Sequence, residues 1–221
     1  MTDSGTVKSD PVVLAFTAAA DWFVALTVAI PSDLWSAEGL GEWTIRDLVG
    51  HTGRALSTVA EYASDTRGKP ELLDSVAYYR GMALSGPSSV GLHAAVADRG
   101  RQAGAELGDR PANTITALRD SIVSLVGTLD LDSLATSRGG TIRMRDYLPT
   151  RTFELVIHCL DLERAITAAG VVAVPEVPFG AMADVLRLLV ELAVARGSQF
   201  IGELMMLLTG RIGVVAGYSV L

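Results

Sequence analysis

One stretch, residues 151–161, constrains the fold of this chain more than any other, because it places an acid and a histidine inside an apolar run. Glu154 and His158 are four residues apart, so in a helix both side chains leave the same face about one turn apart. An ionisable side chain buried without a partner is costly. The fold must therefore bring a partner to this pair, and a metal ion with a third ligand from elsewhere in the chain is one such partner.

The composition is that of a globular protein and argues against nucleic-acid binding. Hydrophobic residues make up 49% of the 221 residues, and the formal net charge is -7. A nucleic-acid partner favours a basic surface, which this charge does not supply. The single cysteine, Cys159, excludes a disulfide framework and indicates a reducing compartment. We interpret Cys159 as a small buried hydrophobic residue rather than a catalytic thiol.

The segment at residues 12–30 is apolar enough to raise the question of a membrane span. Asp21 interrupts this segment, and residues 1–10 carry acids and one lysine instead of the basic region of a signal peptide. We therefore expect a buried helix here and no membrane partner.

Hydrophobic periodicity and capping signals predict four long helices that form the main body of the protein. The long helices span residues 11–30, 44–63, 112–129 and 144–169. Minor helices are predicted at 71–83 and 90–107, and loops at 31–43 and 130–142. This pattern predicts a mainly α protein built as a four-helix bundle.

Two of the long helices carry specific end signals. Thr44 is a natural N-cap, and Asp47 three residues later can reach back to complete a capping box. Trp43 can pack on Leu48 as a hydrophobic staple does. In the last long helix, Pro149 either kinks the helix or marks its effective start.

The last fifty residues differ from the bundle in character. A short strand is predicted at 171–174, helices at 179–195 and 200–208, and an extended tail at 212–221. We therefore divide the chain into a bundle, residues 1–170, and a small C-terminal α or α/β extension, residues 171–221. The apolar segment 181–208 can serve a homodimer interface as well as a core.

A third polar residue can complete a set with Glu154 and His158. His51 lies two turns into the predicted helix 44–63, beside the apolar stripe of that helix. In an antiparallel bundle the three side chains can lie at one level. Two histidines and one carboxylate leave a coordination position open, which is the pattern of catalytic zinc, and other divalent metals accept the same set. The same pattern also fits histidines that only pack in a core, so both interpretations stay open on the residues alone.

Three separated segments resemble the mycothiol-dependent maleylpyruvate isomerase branch of the DinB-like superfamily. Residues 43–51 resemble the hallmark helix of that superfamily, and residues 151–161 resemble the second hallmark of the branch. The ending of the chain, residues 208–221, is similar to the usual tail of the branch. The resemblance covers nearly the whole chain and implies a DinB-like four-helix bundle in an actinobacterial cytoplasm.

The resemblance also implies a set of site residues. A divalent metal, usually zinc, would be held by His51, Glu154 and His158. The C-terminal portion of the family contributes an arginine to the active site, and Arg211 is the matching candidate here. Such an arginine would hold a substrate carboxylate or stabilise a developing enolate.

Asp161 lies one turn beyond His158 and has two interpretations. It can accept a hydrogen bond from the ring of His158 and orient that ring toward the metal. Alternatively, it forms an exposed salt bridge with Arg164 or Arg151. The residues alone do not choose between these two roles.

The function implied by the resemblance is that of a metal-dependent, mycothiol-using S-transferase or isomerase. A thiol with an ordinary pKa of about 8.5 is a poor nucleophile at neutral pH, and coordination to a metal deprotonates it. The thiolate would attack an electrophilic small molecule; with an enone acid, addition, bond rotation and elimination give isomerisation. One alternative is a non-catalytic small-molecule-binding or stress-related protein on the same metal-binding bundle. Another is a structural bundle without a metal.

Overall fold

The protein is mainly α-helical, as predicted. The computed structural model describes residue 7 and residues 9–64, 66–85, 89–137 and 139–211. Within these residues the helices are α1 (Pro11–Val28), α2 (Ile45–Tyr62), α3 (Ser75–Ser85), α4 (Ser89–Glu106), α5 (Pro111–Val126), α6 (Met144–Ala168), α7 (Phe179–Arg196) and α8 (Ser198–Leu208). Two antiparallel hairpins complete this part of the chain: β1 (Glu38–Leu40) with β2 (Trp43–Thr44), and β3 (Leu134–Ser137) with β4 (Gly140–Arg143).

The four predicted long helices are confirmed as α1, α2, α5 and α6, and they pack into a four-helix bundle. Both α1 and α2 contact α5 and α6. The four helices bury most of their large apolar side chains in one common core, which removes this apolar surface from water. Large side chains that are fully buried in this core include Phe16, Phe23, Leu26, Leu48, Leu56, Ile115, Leu148 and Phe153.

In the described part of the chain, α1 is the one helix that is long and apolar enough to cross a membrane by length and composition. Buried core helices meet the same criterion, and half of the residues in this window are buried inside the bundle. Asp21, which interrupts the apolar segment, forms an ion pair with Arg119 of α5. The predicted buried helix is therefore confirmed, and the absence of a membrane partner stays a prediction.

The start of α2 is fixed by the predicted capping box. The backbone N–H of Asp47 donates to Thr44 Oγ1 at 3.2 Å, and the backbone N–H of Thr44 donates to Asp47 Oδ2 at 3.0 Å. These two bonds satisfy donors that a helix N-terminus otherwise leaves unpaired. Trp43, just before the cap, is buried and donates from its indole N–H to Ala97 O of α4 at 3.0 Å.

α4 lies against α2 with the two backbones in close contact, a packing that the pattern of the sequence does not predict. A Cβ atom added to Gly50 would lie 2.2 Å from the backbone nitrogen of Gly104. Such a distance is far below van der Waals contact, so both positions require glycine for this approach. Arg46 of α2 also donates from Nε to Gly104 O at 2.8 Å.

Both regions predicted as loops contain short hairpins, and Pro149 lies inside α6 rather than at its start. The hairpins were missed because strands of two to four residues are too short to show alternation. The β3–β4 hairpin is tied to the segment before α3, since the backbone N–H groups of Glu71 and Leu72 both donate to Thr141 O at 2.9 Å. α6 begins at Met144, five residues before Pro149.

The C-terminal region is helical where the structure describes it. The predicted helices are confirmed as α7 and α8, and α7 packs on α1, α3 and α6. The strand predicted at 171–174 is wrong, because this segment has no neighbouring strand and Val172 is 94% exposed. The predicted extended tail at 212–221 lies outside the described residues. The division of the chain at residue 170 stays a prediction.

Candidate functional site

Three polar side chains on one face of α6 form a connected group. His158 Nε2 lies 3.5 Å from Glu154 Oε2, and His158 Nδ1 lies 3.2 Å from Asp161 Oδ2. The group forms because residues three and four apart on a helix are neighbours. Burial alone would lower the pKa of His158, but the hydrogen bonds to Asp161 and Glu154 raise it to about 9. Without a metal, His158 is therefore a protonated ring between two carboxylates at neutral pH.

The carboxylate of Glu154 is held from the other side by α3. The hydroxyl of Tyr79 lies 3.0 Å from Glu154 Oε1 and 3.2 Å from the carbonyl oxygen of Thr150. Burial favours the neutral acid, but the hydrogen bond to His158 and the charge of Arg151 outweigh it and lower the pKa of Glu154 to about 2. Burial and Glu154 raise the pKa of Tyr79, so its hydroxyl stays protonated and can donate.

His51 reaches the same place from α2. Its ring centroid lies 4.8 Å from that of His158, with the two rings nearly perpendicular at 84°. The indole of Trp43 packs on it at 4.5 Å. Burial and the nearby His158 lower the pKa of His51 to about 4, so the ring is neutral at physiological pH. Its Nδ1 atom is buried and has no hydrogen-bond partner in the described structure.

One cavity of about 190 Å³ brings these groups together. Its wall includes all three predicted metal ligands, His51, Glu154 and His158. Three arginines also line it, two from α2 and α4 and one from α6; they are Arg54, Arg99 and Arg151. The cavity therefore combines a histidine–carboxylate group with a cationic wall.

These side chains are of the types that bind divalent metals, but their positions do not have the geometry of a formed metal site. An unpaired buried ring nitrogen on His51 and an ionised Glu154 are suitable ligands, and Asp161 can hold Nδ1 of His158 as carboxylates hold metal-binding histidines. Among the residues that the structure describes, no group of three or more His, Cys, Asp or Glu side chains meets the geometry of a metal centre. Binding one ion through all three ligands therefore requires side-chain reorientation.

Asp161 and Arg211, the other two predicted site residues, lie in different environments. Asp161 is within hydrogen-bond distance of His158, and no ion pair joins it to Arg151 or Arg164 within the described residues. The geometry thus favours the first of its two interpretations. Arg211 follows α8, is exposed, and is not among the residues that line the cavity. Its role stays a prediction.

Sequence reasoning missed the roles of Arg151, Tyr79 and Trp43 in shaping the site. The sequence indicates Arg151 only as a partner of Asp161 in an exposed ion pair, yet Arg151 is 8% exposed and lines the cavity. Its spacing of three from Glu154 was the available signal. Tyr79 had no comparable signal, because its contact with Glu154 depends on how α3 packs against α6.

Cys159, next to His158 in sequence, faces the core instead of the cavity. Its side chain is fully buried, and burial raises the pKa of its thiol well above the usual value. The interpretation of this residue as a small buried hydrophobic group is confirmed.

The family of the chain follows from comparison with known sequences. A model of the mycothiol maleylpyruvate isomerase N-terminal domain matches residues 16–163, which is more than half of the 221 residues. The chain belongs to this family. The match includes His51, Glu154, His158 and Asp161 and ends before α7. No curated protein and no solved structure matched the chain.

Proposed function

We propose that this protein is a divalent-metal-dependent, mycothiol-using S-transferase or isomerase that acts on an electrophilic small molecule. The observation that carries this proposal is the meeting of His51, Glu154 and His158, from two helices, at one cavity. Membership of a family named for mycothiol and maleylpyruvate isomerase supports the choice of thiol and of reaction class.

An ion bound there, for which zinc is our expectation, would lower the pKa of a coordinated thiol so that the thiolate predominates at neutral pH. The residues of the chain prepare this position. Asp161 accepts from Nδ1 of His158, which leaves Nε2 on the side of Glu154. Tyr79 donates to Oε1 of Glu154, which leaves Oε2 free to face His158. His51 brings a neutral ring whose Nδ1 atom has no other partner in the described structure.

The proposal extends to partners and location. The partners would be a small-molecule thiol and an electrophilic substrate, with no nucleic acid and no membrane, in the cytoplasm. α7 and α8 expose apolar side chains that include Leu186, Val194 and Met205, so a homodimer through segment 181–208 is also part of the proposal.

The metal is tested first, because every later step depends on it. Purified protein should contain close to one divalent ion per chain by plasma mass spectrometry, or take up one on addition of zinc. His51→Ala should lower this occupancy markedly and leave the helical circular dichroism signal intact, since it removes one of three ligands. His93→Ala is the matched control, because His93 is the third histidine of the chain and outside the proposed set.

Unchanged occupancy in His51→Ala would exclude this residue as a ligand, and a wild-type chain that takes up no ion would overturn the metal site.

The catalytic part is tested by S-transfer from mycothiol to a chloronitroarene or a maleimide. The metal-loaded wild type should accelerate the transfer, and Glu154→Gln should not. A protein that binds metal and thiol but accelerates nothing would instead be a non-catalytic binding protein.

A further inference from the structure

A second cavity, which we call the apolar cavity, lies where α7 packs on the bundle. Its volume is about 250 Å³, and its wall comes from α1, α6 and α7. Most of this wall is apolar, and it includes Val12, Ala15, Val185 and Leu188. The parts of α1 and α7 that line the cavity lie outside the matched residues 16–163. The family assignment therefore does not account for this cavity.

The apolar cavity is separate from the cavity that holds the histidines. Pro149 and Thr152 of α6 line the apolar cavity, whereas Arg151, Glu154 and His158 of the same helix line the first one. Because an α-helix has about 3.6 residues per turn, these two sets of side chains leave opposite faces of α6. A molecule in the apolar cavity therefore does not contact the proposed metal ligands.

The apolar cavity has an exposed end and a buried end. Pro11 and Asp184 are exposed, whereas Thr152, Val185 and Leu188 are only 3%, 4% and 6% exposed. A small molecule can therefore enter from solvent beside Pro11 and Asp184 and reach a buried end formed by the other three side chains.

Water is a poor occupant of the buried end. A buried water molecule needs about two to four polar partners. The hydroxyl of Thr152 already donates to the carbonyl oxygen of Leu148 at 3.2 Å, and the side chains of Val185 and Leu188 offer no polar atom. Protein interiors contain few voids larger than a water molecule. An apolar space of this size therefore favours an apolar occupant.

The charges around the apolar cavity favour a neutral ligand. Among the described residues, Asp184 is the one charged side chain of the wall, and it forms an ion pair with Arg187 at the exposed end. A ligand charge at the buried end would have no partner, which is costly. An apolar cavity of about 150 Å³ is large enough for benzene, so about 250 Å³ accommodates one substituted aromatic ring.

We propose that the apolar cavity is a binding site for a small neutral apolar molecule of the size of a substituted benzene. The ring would lie between Ala15 of α1 and Val185 and Leu188 of α7. A hydroxyl group on the ring can donate to Thr152 Oγ1, whose own proton is used in the bond to Leu148 O. The proposal concerns a site apart from the metal and thiol chemistry, and it does not depend on the proposed function.

The test measures binding of toluene by NMR titration of protein with labelled leucine and valine methyl groups, with benzoate as the charged counterpart. Toluene should shift the methyl signals of Val12, Val185 and Leu188, and benzoate at the same concentration should not. Ala15→Phe places a ring in the cavity, so toluene should bind at least about tenfold more weakly. Leu14→Phe is the matched control: it places the same ring at an exposed position of α1 outside the cavity, so its affinity should equal that of the wild type.

Several results would overturn the proposal. These are an absence of toluene-induced shifts in the wild type, equal affinities for the wild type and Ala15→Phe, or benzoate binding as tightly as toluene. If Ala15→Phe does not fold, a crystal structure of the wild type with bromobenzene decides. Bromine beside Val185 and Leu188 supports the proposal. Bromine elsewhere, no bound bromine, or a cavity filled by side chains of the chain itself overturns it.

His51→Ala separates this proposal from the proposed function. It removes a proposed metal ligand outside the apolar cavity, so it should bind toluene as tightly as the wild type does. A loss of toluene binding in His51→Ala would place toluene in the first cavity and overturn the proposal. A wild type that binds zinc but no toluene leaves the metal site standing, and one that binds toluene but no zinc leaves the apolar site standing.

Discussion

Two histidine side chains meet in the cavity, and their pKa values are shifted in opposite directions. His158 lies between the carboxylates of Glu154 and Asp161, and its pKa is raised to about 9. His51, only 4.8 Å away between ring centroids, lies against the indole of Trp43, and its pKa is lowered to about 4. Burial lowers the pKa of both rings, and the hydrogen bonds to Asp161 and Glu154 reverse this effect for His158 alone.

The two helices achieve this difference in different ways. α6 supplies carboxylates to His158 from its own sequence, at spacings of four and three residues. α2 supplies no acid to His51, and its aromatic neighbour, Trp43, is held by α4. One histidine must therefore lose a proton before it can bind a metal, and the other does not.

The largest expected effect is on the pH dependence of zinc affinity. Below a pKa of about 9, each pH unit raises the deprotonated fraction of His158 about tenfold, so affinity should rise about 100-fold between pH 6 and pH 8. Glu154, with a pKa of about 2, and His51, with a pKa of about 4, have already lost their protons in this range and add no slope. Competition with a chelator of known affinity measures the slope.

Calorimetry in buffers of different ionisation enthalpy counts the released protons independently. His158 should release close to one proton per zinc bound at pH 7. A release of two protons would mean that His51 is charged as well. A release of none would mean that His158 is neutral. Either result would remove the contrast between the two histidines.

A smaller effect is expected from Asp161→Asn, which keeps an acceptor beside His158 Nδ1 but removes its negative charge. At a pH above the pKa of His158, zinc affinity should fall about tenfold, the lower end of the range for partners that orient metal ligands. The pKa of His158 should also fall, so the affinity should stop rising at a lower pH than in the wild type. Asp132→Asn, which changes an exposed acid paired with Arg145, is the control and should match the wild type. An unaltered affinity profile in Asp161→Asn would show that Asp161 does not orient His158.

A separate substitution, Gly50→Ala, tests the other histidine. The added Cβ would lie 2.2 Å from the backbone of Gly104, so α4 must move away from α2, at a cost of about 1–3 kcal/mol. The melting temperature should fall by about 2–4 °C per kcal/mol. Because α4 holds Trp43 against His51, the pKa of His51 should rise toward about 6.5, as measured by NMR.

Gly180→Ala provides the comparison for this substitution. Gly180 is also helical, and no atom lies within 4 Å of the position that its Cβ would take, so stability should stay the same or rise by up to about 1 kcal/mol. Equal melting temperatures for the two variants would contradict the close packing of α2 and α4. A normal His51 pKa in the wild type would contradict its environment as described.

The sequence predicts the parts of this site that are local. The capping box of Thr44 and Asp47, the long helices and the shared face of Glu154, His158 and Asp161 all follow from spacing along one helix. The contact of Tyr79 with Glu154 depends on packing between helices far apart in sequence, which spacing does not encode.

Two further differences between expectation and structure have the same physical origin. The segment 171–174 is rich in β-branched residues, but a strand needs a neighbour to pair with, and none is present there in the described structure. One of the two interpretations of Asp161 places Arg151 in an exposed salt bridge, yet the rings of Tyr78 and Tyr147 cover Arg151. Both outcomes are decided by neighbours distant in sequence.

Because Cys159 is fully buried, the reactivity of its thiol reports local unfolding of α6. A thiol that is buried in the bundle core, and whose pKa is raised, does not react with a colorimetric thiol reagent while α6 stays packed. The rate at which that reagent modifies the folded chain therefore measures how often this helix separates from the core. For the same reason, thiol consumed in a transfer assay comes from the added cofactor and not from the protein.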